Sequence, residues 1–201
     1  MTETPGDFPW LSEDGAMDEI YCVSFVRDLS PEEVLRRFGV DGSTVEEVTY
    51  AELEERSAES TMGGGAGWVG AVRTGDWTLV VEPEGWRLAA DSEVMARVGR
   101  GTEIVSVCCH DYASDAFAYI VDGQPVVWFD PMMPGARSGN DPDRFIKEMR
   151  EVGLDPDYDS DHSPIDFPME RSFALASRIT ALPFSPEMLE LRFLAAEPLR
   201  D

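Results

Sequence analysis

Four short stretches of this chain hold residue types whose spacing could support chemistry. The first is Glu82-Pro83-Glu84-Gly85-Trp86, where two carboxylates flank a turn and an indole follows. Paired carboxylates can divide acid and base roles, as they do in glycoside hydrolysis. Together with Arg73 they would make the polar end of a small-ligand site. With 40 acids in the chain, however, finding such a pair carries little information. The second stretch, Gly65-Ala66-Gly67-Trp68-Val69-Gly70, fits the G-x-G-x-x-G pattern. A dinucleotide loop needs a strand before it and a helix N-terminus after it, so that backbone amides point at the pyrophosphate. Here a helical pattern precedes and an apolar strand follows, so the glycines read as the entry to a hairpin. In the third stretch Asp155, Asp157, Asp159 and Asp161 alternate as in a calcium loop, with Asp166 at the closing position. The turn glycine is missing and Pro164 and Pro168 interrupt any exit helix. A solvated acidic loop is therefore the first reading and weak calcium binding the alternative. The fourth is Cys108-Cys109-His110. Neighbours on a strand face opposite ways, and zinc wants spaced ligand pairs, so the cysteines read as small core residues. There is no nucleophile elbow, and neither His110 nor His162 has an obvious serine or cysteine companion. No catalytic residue and no cofactor is assigned, and the balance leans away from an enzyme.

The charge narrows the partners. Against 16 basic residues stand 40 acidic ones, a net −24, which repels a phosphate backbone and disfavours direct binding to nucleic acid. Solubility is the bland account of such acidity. The sharper one is an acidic face for a basic partner, such as a nuclease toxin. The excess is steepest in residues 1–62, with 16 acids against 4 bases, so a basic partner is expected to meet that third first. Lys147 is the only lysine and Asn140 the only asparagine, a bias suggesting a high-G+C bacterial genome. No apolar run reaches the roughly 18 residues that span a bilayer. The acidic N-terminus does not resemble a signal peptide. Three cysteines, two of them adjacent, form no disulfide framework. Together these point to the cytoplasm and to no membrane association; they leave the oligomeric state open.

The positioning elements follow from pattern. Residues 21–26 alternate as a strand. Ser30-Pro31-Glu32-Glu33 opens a helix that Gly39 ends, and Thr49-Tyr50-Ala51-Glu52 is a capping box for another, running to about residue 59. Trp68, Trp77 and Trp86 recur nine residues apart. The first two belong to a hairpin turning at Thr74-Gly75, with Trp68, Val72, Trp77, Leu79 and Val81 on its core face and Gly70 leaving room for the Trp77 indole. The opposite face, including Val69, Ala71 and Val80, suits a helix or a partner. A short helix over 91–98 and a strand over 102–109 come next. A second hairpin turns at Asp122-Gly123, with Phe117, Tyr119, Val126 and Trp128 sharing a face and Pro125 marking an edge. Helices are expected over 141–152, 170–180 and 186–196. The sum is a single α+β domain, a mostly antiparallel sheet of five or six strands with helices packed on it. Residues 1–15 are set aside as a disordered tail and 155–168 as an acidic loop.

Several of these stretches resemble a family of uncharacterised actinobacterial proteins, a domain of unknown function. They are Tyr21-Cys22-Val23-Ser24-Phe25-Val26-Arg27 with Ser30-Pro31-Glu32-Glu33-Val34-Leu35-Arg36-Arg37-Phe38-Gly39; Gly67-Trp68-Val69-Gly70 through Trp77-Thr78-Leu79-Val80-Val81-Glu82-Pro83 to Gly85-Trp86; Gly101-Thr102-Glu103-Ile104-Val105-Ser106-Val107; and Asp141-Pro142-Asp143-Arg144-Phe145. The resemblance implies no activity and supplies no site residues. From charge and the lack of a catalytic constellation, the expected function is a non-catalytic, acidic protein-binding module of the immunity or neutralising type. The alternatives are an enzyme or ligand binder around Arg73, Glu82, Glu84 and Trp86, and a weak calcium-binding domain.

Overall fold

One antiparallel sheet takes strands from both ends of the chain. A computed structural model describes residues 4–11, 17, 19–110, 115–158 and 165–199. Its strands are β1 (Tyr21–Arg27), β2 (Glu46–Val48), β3 (Val69–Thr74), β4 (Trp77–Pro83), β5 (Glu103–Cys109), β6 (Ala116–Val121), β7 (Gln124–Phe129) and β8 (Phe193–Ala196). They lie in the order β2-β8-β3-β4-β1-β5-β6-β7, every neighbouring pair antiparallel. Eight strands exceed the five or six expected. The additions are β2, three residues with two glutamates, and β8, which local pattern assigns to a helix over 186–196. That helix ends at Leu189. Phe193–Ala196 extends instead because β2 and β3 flank it, an instance of tertiary pairing overriding local preference.

The helices are α1 (Pro31–Phe38), α2 (Tyr50–Met62), α3 (Arg87–Ala90), α4 (Ser92–Val98), α5 (Ile146–Val152), α6 (Pro168–Thr180) and α7 (Pro186–Leu189). Both anticipated caps form. Ser30 accepts from the Glu33 amide, and Gly39 ends α1 in the left-handed region at φ 89°. Thr49 and Glu52 cap α2 reciprocally, the Thr49 amide donating to Glu52 Oε2 at 2.7 Å. α5 begins five residues later than expected, because Asp141–Arg144 forms turns instead.

The sheet is covered on both faces, so its strands carry apolar residues on both. Tyr21, Val23, Phe25, Leu79, Val107 and Phe117 pack on one side with Leu53 of α2, Met149 of α5 and Phe173 of α6. Val26, Val80, Ile104 and Ile120 pack on the other with Val34 and Leu35 of α1, Leu88 of α3 and Val94 of α4.

The first hairpin keeps its expected faces but turns one residue later, at Gly75-Asp76, pairing Thr74 with Trp77 and Gly70 with Val81. The bare backbone at Gly70 is filled by Leu53 and Phe193 rather than by Trp77. In the second hairpin a bulge at Tyr119/Ile120 shifts the register. Val127 and Phe129 thereby join Phe117 and Tyr119 in place of Trp128, while Trp128 joins the opposite core. β7 is an outer strand, as Pro125 suggested. Ser138, Asn140 and Asp141 hydrogen-bond along its far side.

Candidate functional site

The Glu82–Trp86 end of the first hairpin holds structure together rather than presenting free carboxylates. Glu82, next to the last residue of β4, has 1% of its surface exposed. Its Oε1 accepts the Leu88 amide at 3.1 Å, and its Oε2 accepts the Arg87 amide at 3.2 Å and Arg87 Nε at 3.0 Å. The carboxylate thus caps α3 and pairs with a guanidinium that the sequence reading had not singled out. Glu84, in the left-handed region at φ 58°, turns the chain out of the sheet with its amide on Ile20 O at 3.0 Å. Trp86 is 43% exposed and meets His110 edge-on, ring centroids 4.3 Å apart. It borders an open hollow of about 410 Å³ with Arg87, Ala90, Asp91 and Ser92.

Arg73 does not join them. It pairs across the ladder with Thr78, four residues from Glu82 along β4, or about 13 Å at the rise of a strand. Its Nε donates to Gly75 O at 2.7 Å and its Nη1 to Leu29 O at 2.8 Å, which clasps the opposite end of the hairpin.

Beneath α3 lies the largest departure from expectation. Cys22 and Cys108, opposite each other on β1 and β5, form a disulfide with Cα atoms 4.1 Å apart. They are 0% and 3% exposed. An odd cysteine count hid the pair, because the two partners are 86 residues apart and only strand pairing brings them together. Ser106 Oγ lies 3.2 Å from Cys22 Sγ and 2.8 Å from Ser24 Oγ, so the buried polar atoms around the bond satisfy one another. The third cysteine, Cys109, lies outside that bond, on the other sheet face opposite Tyr21. There Asp115 accepts the His110 amide at 2.9 Å. Burial pushes the Asp115 carboxyl above its ordinary range and outweighs that hydrogen bond. Burial also raises the Tyr21 hydroxyl, reinforced by negative charge at Cys109, Asp115 and Glu170.

Of the calcium-type aspartates, Asp155 Oδ1 accepts the Asp157 amide at 3.0 Å, and Asp157 pairs with Arg150 at 2.9 Å. Asp159 and Asp161 lie outside the described residues. Among those described, no three potential ligand side chains gather as a metal site.

The glycine run has a definite structural use. A helix precedes it and β3 follows, so its amides face no phosphate cradle. They are held by α2 and by the residue that follows β8: Ala66 N on Glu197 Oε1 at 2.8 Å, Gly67 N on Ser60 Oγ at 3.1 Å and Trp68 N on Ser57 Oγ at 3.1 Å. Ser57 in turn donates to Pro83 O at 2.6 Å.

That fastening builds one corner of an acidic surface. Exposed Glu46 and Glu47 lie on β2, and Glu52, Glu55 and Glu59 line the outer face of α2 beside it. Arg56 pairs with Glu46 at 2.6 Å, and Arg192 lies 3.3 Å from Glu47 and 3.7 Å from Glu52. Glu55 and Glu59 have no ion pair among the described residues. Hydrogen bonds from Thr49, aided by the two arginines, hold the Glu52 carboxyl below its usual range. Beside this face opens a hollow of about 550 Å³ lined by Thr44, Glu46, Trp68, Glu197, Pro198 and Leu199. Trp68 is half-buried, packing against the core as expected while also lining this hollow. The sequence reading missed Glu197 because the strand leading to it was not recognised.

Fold and surface together define a single-sheet α+β protein in which the buried Glu82 holds the frame and five exposed glutamates line one edge. The chain belongs to a family of unknown function, DUF6461, whose profile spans residues 1–196. No curated protein and no solved structure matches it. No described helix is long and apolar enough to cross a membrane.

Proposed function

We propose that this chain is a non-catalytic, acidic protein-binding module of the neutralising type, and that its docking face is the β2/α2 edge. The observation that carries the reading is the exposure of Glu46, Glu47, Glu52, Glu55 and Glu59 along one edge of the sheet, where Arg56 and Arg192 pair with three of them. Such a surface speeds encounter with a basic protein and selects against acidic ones. A carboxylate enzyme at Glu82 is less favoured, since both oxygens of Glu82 are already engaged. We place its work in a bacterial cytoplasm on composition, and in an actinobacterium on the family resemblance; the Cys22–Cys108 bond withdraws the cysteine argument for that compartment.

The test is a titration of isotope-labelled chain, followed by NMR, with a basic octapeptide of alternating lysine and glycine. Shifts concentrated on α2 and β2, weakening as salt rises and about tenfold weaker in Glu55→Gln/Glu59→Gln, support the proposal. Shifts scattered over the surface, or an affinity indifferent to both salt and the substitutions, overturn it.

A further inference from the structure

We propose that the hollow beside Trp68 is a pocket for one arginine side chain of the basic partner; this rests on the docking reading above and adds a specificity to it. The walls supply what a guanidinium and its stem need. Glu46 and Glu197 put two carboxylates on one hollow, and the Trp68 indole, Pro198 and Leu199 give apolar surface. Leu199 is 68% exposed, and its amide is anchored on Gly39 O at 3.1 Å. Each carboxylate has spent one oxygen. Glu46 Oε2 accepts from Arg56 and Glu197 Oε1 from the Ala66 amide. Glu46 Oε1 and Glu197 Oε2 take no hydrogen bond from the described residues.

The chain itself shows that this combination holds a guanidinium. Arg56 lies with its guanidinium carbon 4.9 Å from the Trp68 ring centroid while it pairs with Glu46. A planar fork that stacks on an indole and bonds a carboxylate is arginine chemistry. Lysine, a compact and strongly hydrated point charge, gains less from either contact. An incoming arginine has the two unspent oxygens for its head and Pro198 and Leu199 for its methylene stem. The pocket is also held in place. A Cβ at Gly65 would stand 2.5 Å from Glu197 Oε1 and 2.7 Å from Ser60 O, so only glycine lets the backbone close on that carboxylate. Glu197 is thereby fixed before any partner arrives, which lowers the ordering cost of binding.

The experiment compares two octapeptides of equal charge, arginine alternating with glycine and lysine alternating with glycine, titrated into the intact chain. The expected result is about tenfold tighter binding of the arginine peptide, with the Trp68 indole N–H resonance shifting for that peptide only. Glu197→Gln, which keeps an acceptor for the Ala66 amide, should abolish the preference, bringing the arginine peptide's affinity down to that of the lysine peptide. Equal affinities for the two peptides, or a Trp68 resonance that ignores both, overturn the pocket while leaving the docking face standing if both peptides still depend on Glu55 and Glu59. A chain that binds neither peptide overturns both readings.

Discussion

Breaking the Cys22–Cys108 bond is the most quantitative perturbation this fold offers. The bond closes a loop of 86 residues, and loop-closure entropy for that length amounts to about 4.6 kcal/mol at 25 °C. The reduced thiols stay beside Ser106 Oγ, within an otherwise unchanged pair of central strands, so the effect arises chiefly in the unfolded chain. Spread over the unfolding entropy of 201 residues, the loss corresponds to a fall in Tm of about 11 °C. The assay is calorimetry of chain oxidised with glutathione disulfide against the same chain fully reduced. Alkylation after unfolding should count one thiol, Cys109, in the first sample and all three cysteines in the second. The variant Cys22→Ala/Cys108→Ala should melt near the reduced form and ignore reductant. A reduced chain melting within about 3 °C of the oxidised one refutes the entropic argument. Three alkylated cysteines in the oxidised sample refute the bond.

Other perturbations test other parts of the frame. Glu82→Ala strands the Arg87 guanidinium and uncaps α3, and should cost about 3 kcal/mol by urea unfolding; a loss below about 1 kcal/mol would make the pair ornamental. Leu53→Ala empties the side chain that fills the gap over Gly70 and should cost about 3 kcal/mol in the same measurement. Gly99→Ala would set a Cβ 2.8 Å from the Gly123 backbone and 2.9 Å from Met95 O, with no flexible end to yield, and should lower Tm measurably while Gly42→Ala, in open space, should not. Asp115, whose folded-state pKa is raised by burial, makes its full stability contribution below its ordinary 3.8 and loses it as pH rises through the folded value. Asp115→Asn should therefore raise Tm at neutral pH and leave it unchanged near pH 3; an equal change at both pH values would show that charge burial is not the cause.

How much of this could be read beforehand followed the range of the interaction. Ser30-Pro31-Glu32-Glu33, the Thr49–Glu52 box and the Asp122-Gly123 turn each act within a few residues, and each forms where expected. The two faces of the first hairpin were readable for the same reason. β8 was not, because only β2 and β3 on either side make Phe193–Ala196 extend. The disulfide, the Glu82–Arg87 cap and the pairing of Glu46 with Glu197 around one hollow depend on three-dimensional proximity that no local pattern encodes. Arg73 was misplaced by the same limit, since closeness in a hairpin's sequence says little about which end of the ladder a residue occupies. The acidic N-terminal third was visible as a count, and folding turned part of it into a surface.

The two rims of the sheet bear on how this protein behaves when crowded. A long, bare outer strand invites another chain to add to it, which is how fibrils begin. On one rim, residues 138–141 already occupy the hydrogen bonds of β7. On the other, β2 offers three residues, two of them glutamates. Chain-to-chain growth is discouraged at both rims, so a protein whose described strands all lie in one sheet is expected to accumulate without polymerising through its edges.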